Sequence, residues 1–256
     1  MTSVHPSVIR DVLIAILGLV AFAPYAAGQD AMEWRATFDA GAPPPRLIVD
    51  APYLRLTVRG HDSDSIIVRA RYEDGAPGLL PQPAFARNFL QFTDRLNNRV
   101  IELEVLVPHR TAVLARTSNA APVQLFDIHG SVEVENSNAG IVLEGLRGSV
   151  VAATSNGPID ATFDRTPVGV PLSFLTSNGA VTIWFPDEPD LDLHLQTDNS
   201  GVETEFVVTP LNEPATIGGD GGRVLRGQLG KGGPLLRVRT DNGQIVLRQS
   251  PRIFVR

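Results

Sequence analysis

A short phrase returns along the second half of the chain: Thr154-Ser155-Asn156-Gly157, Thr176-Ser177-Asn178-Gly179, Thr197-Asp198-Asn199-Ser200-Gly201 and Thr240-Asp241-Asn242-Gly243. Degenerate copies precede it at Thr117-Ser118-Asn119 and Asn136-Ser137-Asn138-Ala139-Gly140. From one Asn to the next the spacings are 19, 18, 22, 21 and 43 residues, so the last gap reads as two repeats with one phrase missing. A fixed period near 20 predicts stacked units, none of which can bury its apolar face alone. Thr, Asn and Gly all have turn and packing roles at such positions, so the repeat speaks for architecture and not for an activity.

Around each phrase the apolar residues alternate with period two. Val150/Ala152/Thr154, Leu172/Phe174/Thr176, Leu193/Leu195/Thr197 and Leu236/Val238/Thr240 lead in, and Ile159/Ala161/Phe163, Val181/Ile183/Phe185, Val202/Thr204/Phe206 and Ile245/Leu247 lead out. The residues between them are polar or small, as in Asp192/His194/Gln196. Each repeat is therefore expected to be two short strands with one face inward, joined by a corner. No stretch beyond the N-terminal segment has a helical period.

Two folds use this pattern. Asn-Gly is a strong hairpin signal, which would give a meander or sandwich. Hairpins, however, need not repeat sequence, whereas a solenoid returns the same residue to the same corner of each coil, where Asn and Gly tolerate a left-handed backbone and Asn or Thr side chains can bond up and down the stack. The expected fold is all-β: a single-domain β-solenoid, a β-helix-like stack of roughly 20-residue coils.

The segments Gly130-Ser131-Val132-Glu133-Val134, Gly148-Ser149-Val150-Val151-Ala152-Ala153-Thr154-Ser155-Asn156-Gly157 and Gly232-Gly233-Pro234-Leu235-Leu236-Arg237-Val238-Arg239-Thr240-Asp241-Asn242-Gly243-Gln244-Ile245 carry a resemblance. They resemble the bacterial "putative adhesin" family of unknown function, DUF4097, over roughly residues 100–249. The resemblance implies an exported right-handed β-helix-like stack and brings no catalytic residues with it. Upstream, Leu54/Leu56/Val58 and Ile101/Leu103/Val105 fit the family's opening strands only loosely.

Arg10, the apolar run from Val12 to Ala23, Pro24 and the small residues Ala26-Ala27-Gly28 have the order of a secretory signal peptide, with cleavage expected after Gly28. Extended through Pro24-Tyr25-Ala26-Ala27, the same run would approach the roughly 20 residues of an uncleaved anchor, the one case that brings in a membrane. The expected divisions are a signal peptide at 1–28, an N-terminal β-strand segment and start of the stack at 29–108, the repeat region at 109–249 and a tail at 250–256. Localisation is expected to be exported, periplasmic or at the cell surface. With no cysteine, disulfides cannot staple the fold. The net charge of −6, with no basic stripe, argues against nucleic acid. Loops are expected at Ala42-Pro43-Pro44-Pro45, from Asp74 to Pro83, and from Pro210 to Gly222, the last spanning the missing phrase.

Catalytic signatures are mostly absent: there is no HExxH pair, no GxSxG elbow, and no Walker loop despite Gly230-Lys231-Gly232. Gly218-Gly219-Asp220-Gly221-Gly222 occurs once and lacks the second repeat that a calcium site needs. His61, His109, His129 and His194 have no ligand spacing and are expected to be isolated on the surface. No cofactor and no metal are expected. A two-carboxylate hydrolase needs its pair roughly 5–10 Å apart, which stacking could supply from Asp160, Glu203 and Glu205, expected two coils apart on one face, or from Asp187, Glu188 and Asp190. The plainer expectation is a solvated acidic face.

Trp184 is expected to point out of its sheet, where it could stack on a sugar or a partner, or pack beneath the turn at 186–189. Arg237, Arg239 and Arg248 are further contact candidates, or else cap the terminal coil. Three functions remain open: a non-catalytic surface or periplasmic binding module of adhesin type, a carbohydrate-active enzyme using stacked carboxylates, and an envelope scaffold or signalling partner. The corresponding partners are a polysaccharide or an envelope protein.

Overall fold

The computed structural model describes residues 31–38, 43–75, 78–86, 88–94, 98–118, 121–211 and 223–250. The expected signal peptide at 1–28, all but Ser250 of the expected tail at 250–256, and most of the expected loop at 210–222 lie outside them. The regular elements among the described residues are all strands. The N-terminal part holds β1 (Ala31–Thr37), β2 (Arg46–Asp50), β3 (Leu54–His61), β4 (Ser65–Tyr72), β5 (Ala84–Ala86), β6 (Phe89–Thr93) and β7 (Ile101–Pro108). The phrase-bearing part holds β8 (Ala112–Arg116), β9 (Val123–Phe126), β10 (Val132–Asn136), β11 (Ile141–Leu146), β12 (Val150–Thr154), β13 (Ile159–Phe163), β14 (Leu172–Thr176), β15 (Val181–Phe185), β16 (Leu191–Thr197) and β17 (Val202–Thr204). The C-terminal part holds β18 (Thr209–Pro210), β19 (Arg223–Leu229), β20 (Leu235–Thr240) and β21 (Ile245–Gln249).

These strands form two large mixed sheets. Sheet I runs β1-β4-β7-β3-β9-β11-β13-β15-β21-β17, and sheet II runs β18-β19-β16-β20-β14-β12-β10-β8-β2-β6-β5. Period-two alternation sends every second side chain inward, and the inward residues of both sheets join one buried cluster from Leu47 to Leu247. Phe163 and Phe185 stack within it at 5.1 Å. Pairing within the repeats is parallel and in register: Thr154 lies beside Thr176, Thr176 beside Thr240, and Thr240 beside Thr197.

The spatial order of the repeats departs from the chain order at both ends. The last repeat, β20–β21, sits between β14–β15 and β16–β17. Near the N-terminus β2–β3 sits inside β6–β7. The 43-residue gap is therefore no missing repeat. The chain leaves β17, adds β18 and β19 antiparallel against the outer side of β16, and returns to fill the place beside β14. Antiparallel strands also cover the other end, β1 and β4 beyond β7 and β5 beyond β6. Covering the ends in this way limits open edges that would invite edge-to-edge association.

The phrase works as a clasp between neighbouring repeats. The hydroxyls of Thr154, Thr176, Thr240 and Thr197 each donate to a backbone carbonyl of the adjoining repeat, those of Ala139, Gly157, Gly179 and Gly243, all at 2.9 Å. Beside them the Asn amides form a ladder: Asn156 donates to Asn138 (3.0 Å), Asn178 to Asn156 (2.8 Å), Asn242 to Asn178 (2.7 Å) and Asn199 to Asn242 (2.8 Å). The expected left-handed backbone is not what selects glycine here. Among the described residues Gly157, Gly179 and Gly243 have no positive φ. A β-carbon at any of the three would overlap the carbonyl of the preceding repeat, so close stacking requires the bare backbone. The same slot holds Ala139 in the β10–β11 repeat and Ser200 in the β16–β17 repeat, outside the run of three glycines.

Candidate functional site

The outward side chains of sheet II fall into rows across its strands. One row contains Arg116, Glu135, Ala153, Leu175, Arg239 and Gln196. The next contains Glu133, Val151, Ser173, Arg237, His194 and Arg226. Arg237 and Arg239 thus share a face, two residues apart on one strand. They do not cap the terminal repeat, because β20 is interior to the sheet. Arg239 is engaged, 2.9 Å from Asp198 and 3.2 Å from Asp241. Arg237 is exposed and makes no ion pair among the described residues. His194 stands half-buried between Arg237 and Arg226. Its burial pushes its pKa down, and the two guanidinium charges push it further.

Nearer the N-terminus the same face holds a recess of about 370 Å³ lined by Asp50, Arg116, Glu135, Ser137, Ala153 and Ser155. Arg116 lies 3.4 Å from Glu133 and 3.2 Å from Glu135. The buried residues Thr117 and Asn136 also line the recess, and neither Thr117 Oγ1 nor Asn136 Nδ2 has a hydrogen-bond partner. The Thr clasp begins here: β2, beside Thr117, leads into Ala51-Pro52 instead of a phrase.

Trp184 lies on the opposite, outer face of sheet I, so it forms no common site with the two arginines. It is half-buried, flanked across the strands by Thr162 and Arg248. The Arg248 guanidinium sits 5.5 Å from the Trp184 ring centre and 3.4 Å from Glu205. That arrangement is a cation–π contact that leaves part of the indole exposed. Glu203 and Glu205 line one shallow recess with Arg248, but Asp160 is not brought to them. Asp160 and Glu203 share a row, but Thr182 and Val246 intervene, because β21 is inserted between β15 and β17. Three strand spacings put them about 14 Å apart, beyond the separation of a two-carboxylate hydrolase. Partial desolvation raises the Asp160 pKa, opposed by a hydrogen bond from Thr182. Asp190 has a structural job: its carboxylate accepts the backbone N–H of Lys231 at 2.8 Å.

The expectation of isolated histidines does not hold. His109 and His129 occupy matching corner positions and their rings stack at 4.4 Å. The backbone joins them to His61, with His109 N–H donating to His61 O at 3.1 Å and His129 N–H to His109 O at 2.7 Å. Asp127, at φ 58° the one non-glycine with positive φ among the described residues, lies beside this corner, and its carbonyl is 2.7 Å from His109 Nδ1. Burial lowers the His129 pKa, with Arg147 and then His109 adding to the effect. The signal was present in the sequence: His109 and His129 are one repeat period apart.

No family model matches the chain, and no curated protein matches it. Three solved structures align with it over most of its length. A "putative cell adhesion protein" from Clostridium sporogenes is 12% identical, with 86% of this chain and 100% of that one covered at a TM-score of 0.45. A "putative adhesin" from Bacteroides fragilis is 9% identical (87% and 98% covered, TM-score 0.28), and one from Parabacteroides merdae is 10% identical (90% and 100% covered, TM-score 0.21). At these identities and TM-scores the likeness carries no argument about what this chain binds.

Proposed function

We propose that this protein is an exported, non-catalytic β-solenoid of the DUF4097 adhesin-like type that binds an extracellular or envelope polysaccharide through its outer faces. In this reading residues 1–28 are a cleaved signal peptide, 29–108 start the stack, 109–249 carry the phrase-bearing repeats, and 250–256 are a tail. The observation that carries it is the in-register alignment of repeats, which sets outward side chains in rows across two broad faces. Such rows suit many shallow contacts along an extended ligand. Trp184 supplies an aromatic surface on one face, and Arg237 and Arg239 supply guanidinium groups on the other.

The test is retention of the purified full chain on a panel of neutral and acidic polysaccharides, scored together with newly released reducing ends. Retention without new ends is the expected result. The Trp184→Ala protein should lose retention on neutral polysaccharides while melting within about 2 °C of the parent, since a half-exposed side chain away from the core contributes little to stability. Release of reducing ends, or no retention on any polysaccharide, overturns the reading.

A further inference from the structure

We propose that the recess at the corner formed by β2, β8, β10 and β12 is a binding site for one neutral, hydroxyl-rich sugar residue, a chain terminus or a branch. The inference rests on the binding-module reading and adds a second site to it, on the opposite sheet from Trp184.

The recess lies where the clasp between repeats breaks off. In the buried row of Thr154, Thr176, Thr240 and Thr197, each hydroxyl donates to a carbonyl of the adjoining repeat. Asn136 holds the next place in that row, beside Thr154. Thr117 follows it, one residue beyond Arg116, which is in register with Glu135. Asn136 is only 5% exposed and Thr117 only 7%, yet Asn136 Nδ2 and Thr117 Oγ1 have no hydrogen-bond partner among the described residues. A buried donor left unbonded is destabilising and uncommon in a native fold. Two in adjacent places, both lining a recess of about 370 Å³, point to a group that completes them from outside.

The polar groups of the recess select the ligand. Asn136 Nδ2 can only donate, and Asn136 Oδ1 already accepts the Asn138 N–H at 3.4 Å. Together with the Arg116 guanidinium on the rim, this disfavours a cation. Asp50 and Glu135 line the recess and Glu133 flanks Arg116, which disfavours an anion. A neutral acceptor remains. The backbone N–H groups here are already bonded, Thr117 N to Glu135 O at 2.9 Å, Ser118 N to Pro52 O at 3.2 Å and Asn156 N to Ser137 O at 3.1 Å, so an extended peptide finds no open ladder. A sugar ring meets every requirement. Its oxygens can accept from Asn136 and Thr117, which stand on neighbouring strands about 4.8 Å apart. Its hydroxyls can donate to Glu135, whose carboxylate keeps free lone pairs while it holds Arg116, and its C–H face can rest on Ala153 and Pro52. The volume is at the small end of the range for ligand sites, which suits one residue and not a long chain. Both unbonded groups lie in the floor of the recess, so the two side chains turn to meet the ligand.

The experiment titrates the full chain with cellotriose, mannotriose, a galacturonic acid trimer and a capped trialanine peptide, and follows the side-chain amide of Asn136 by NMR. A neutral trisaccharide is expected to shift that amide downfield, in the parent and equally in Trp184→Ala. Its affinity should fall at least tenfold in Ala153→Phe, which fills the recess from a half-buried outward position, and about fivefold in Thr117→Val, which removes one hydrogen bond. Thermal unfolding without ligand gives an independent readout. Thr117→Val should melt no lower than the parent because its hydroxyl bonds nothing, whereas Thr154→Val should melt lower because it loses a bond of 2.9 Å. Thr117→Val melting as low as Thr154→Val, no amide shift with either neutral trisaccharide, or tighter binding of the acidic trimer or the peptide overturns the proposal. Neutral sugars that bind only through Trp184 and leave the Asn136 amide unmoved overturn the recess and leave the binding-module reading intact. Failure of the amide shift together with failure of retention on every polysaccharide overturns both.

Discussion

A single methyl group at Gly179 should unfasten the corner between two repeats. The β-carbon of alanine there would overlap the Gly157 carbonyl, and even its third-nearest neighbour, Pro158 N, would lie only 2.7 Å away. The obstacles are backbone atoms, so no side-chain rotation relieves them. Separating the repeats by roughly one ångström weakens three bonds: Thr176 Oγ1 to Gly157 O at 2.9 Å, Asn178 Nδ2 to Asn156 Oδ1 at 2.8 Å, and Asn178 N to Ser155 O at 2.9 Å. Overpacking costs about 1–3 kcal/mol and each bond about 1 kcal/mol, while the loss of glycine freedom in the unfolded chain returns up to about 1 kcal/mol. The expected loss is about 3–5 kcal/mol, a fall of about 6–20 °C in Tm for a chain of this size. Gly201→Ala is the matched control, because a β-carbon at Gly201 meets nothing within 4 Å and its φ is not positive. Urea and thermal unfolding followed by circular dichroism would compare the two. If Gly179→Ala unfolds with the parent, or no earlier than Gly201→Ala, close stacking is not what requires glycine in the phrase.

Two further outcomes concern the core and the pH response. Phe174 is fully buried, and Phe174→Ala should cost about 3–5 kcal/mol in urea unfolding; parent-like unfolding would contradict its inward position. His129 and His194 have pKa values below the usual histidine value, so between that value and their lowered folded values the unfolded chain binds more protons than the folded one. Their contribution to stability is present in full above about pH 6.5 and is lost as pH falls below it, so Tm should drop from pH 7.5 to pH 5.5. Replacing both with Gln should flatten that limb; an unchanged slope would remove these two residues as its cause.

Much of the fold was legible because inward and outward positions alternate locally. The strands from Val150 to Phe185 could be read from their apolar residues alone, and each Thr of the phrase falls on the buried face as the phase of the alternation requires. The histidine corner was legible through the spacing of His109 and His129, but only once that spacing is compared with the repeat period. The arginine candidates were found individually. Their setting was not, because it depends on which strand lies beside β20, and hydrogen bonding between parallel strands is set by docking across long stretches of chain.

By itself the sequence determined the repeat period, the two-strand unit, the inward residues and the all-β class, since these follow from side-chain alternation and from turn chemistry within about 20 residues. The tertiary structure alone decided the order of the repeats. Any repeat presents a similar edge of backbone N–H and C=O groups, so local chemistry cannot say that β20–β21 enters between β14–β15 and β16–β17. That insertion moves Asp160 and Glu203 apart, brings Arg237 beside His194, and turns the last repeat in the chain into an interior one.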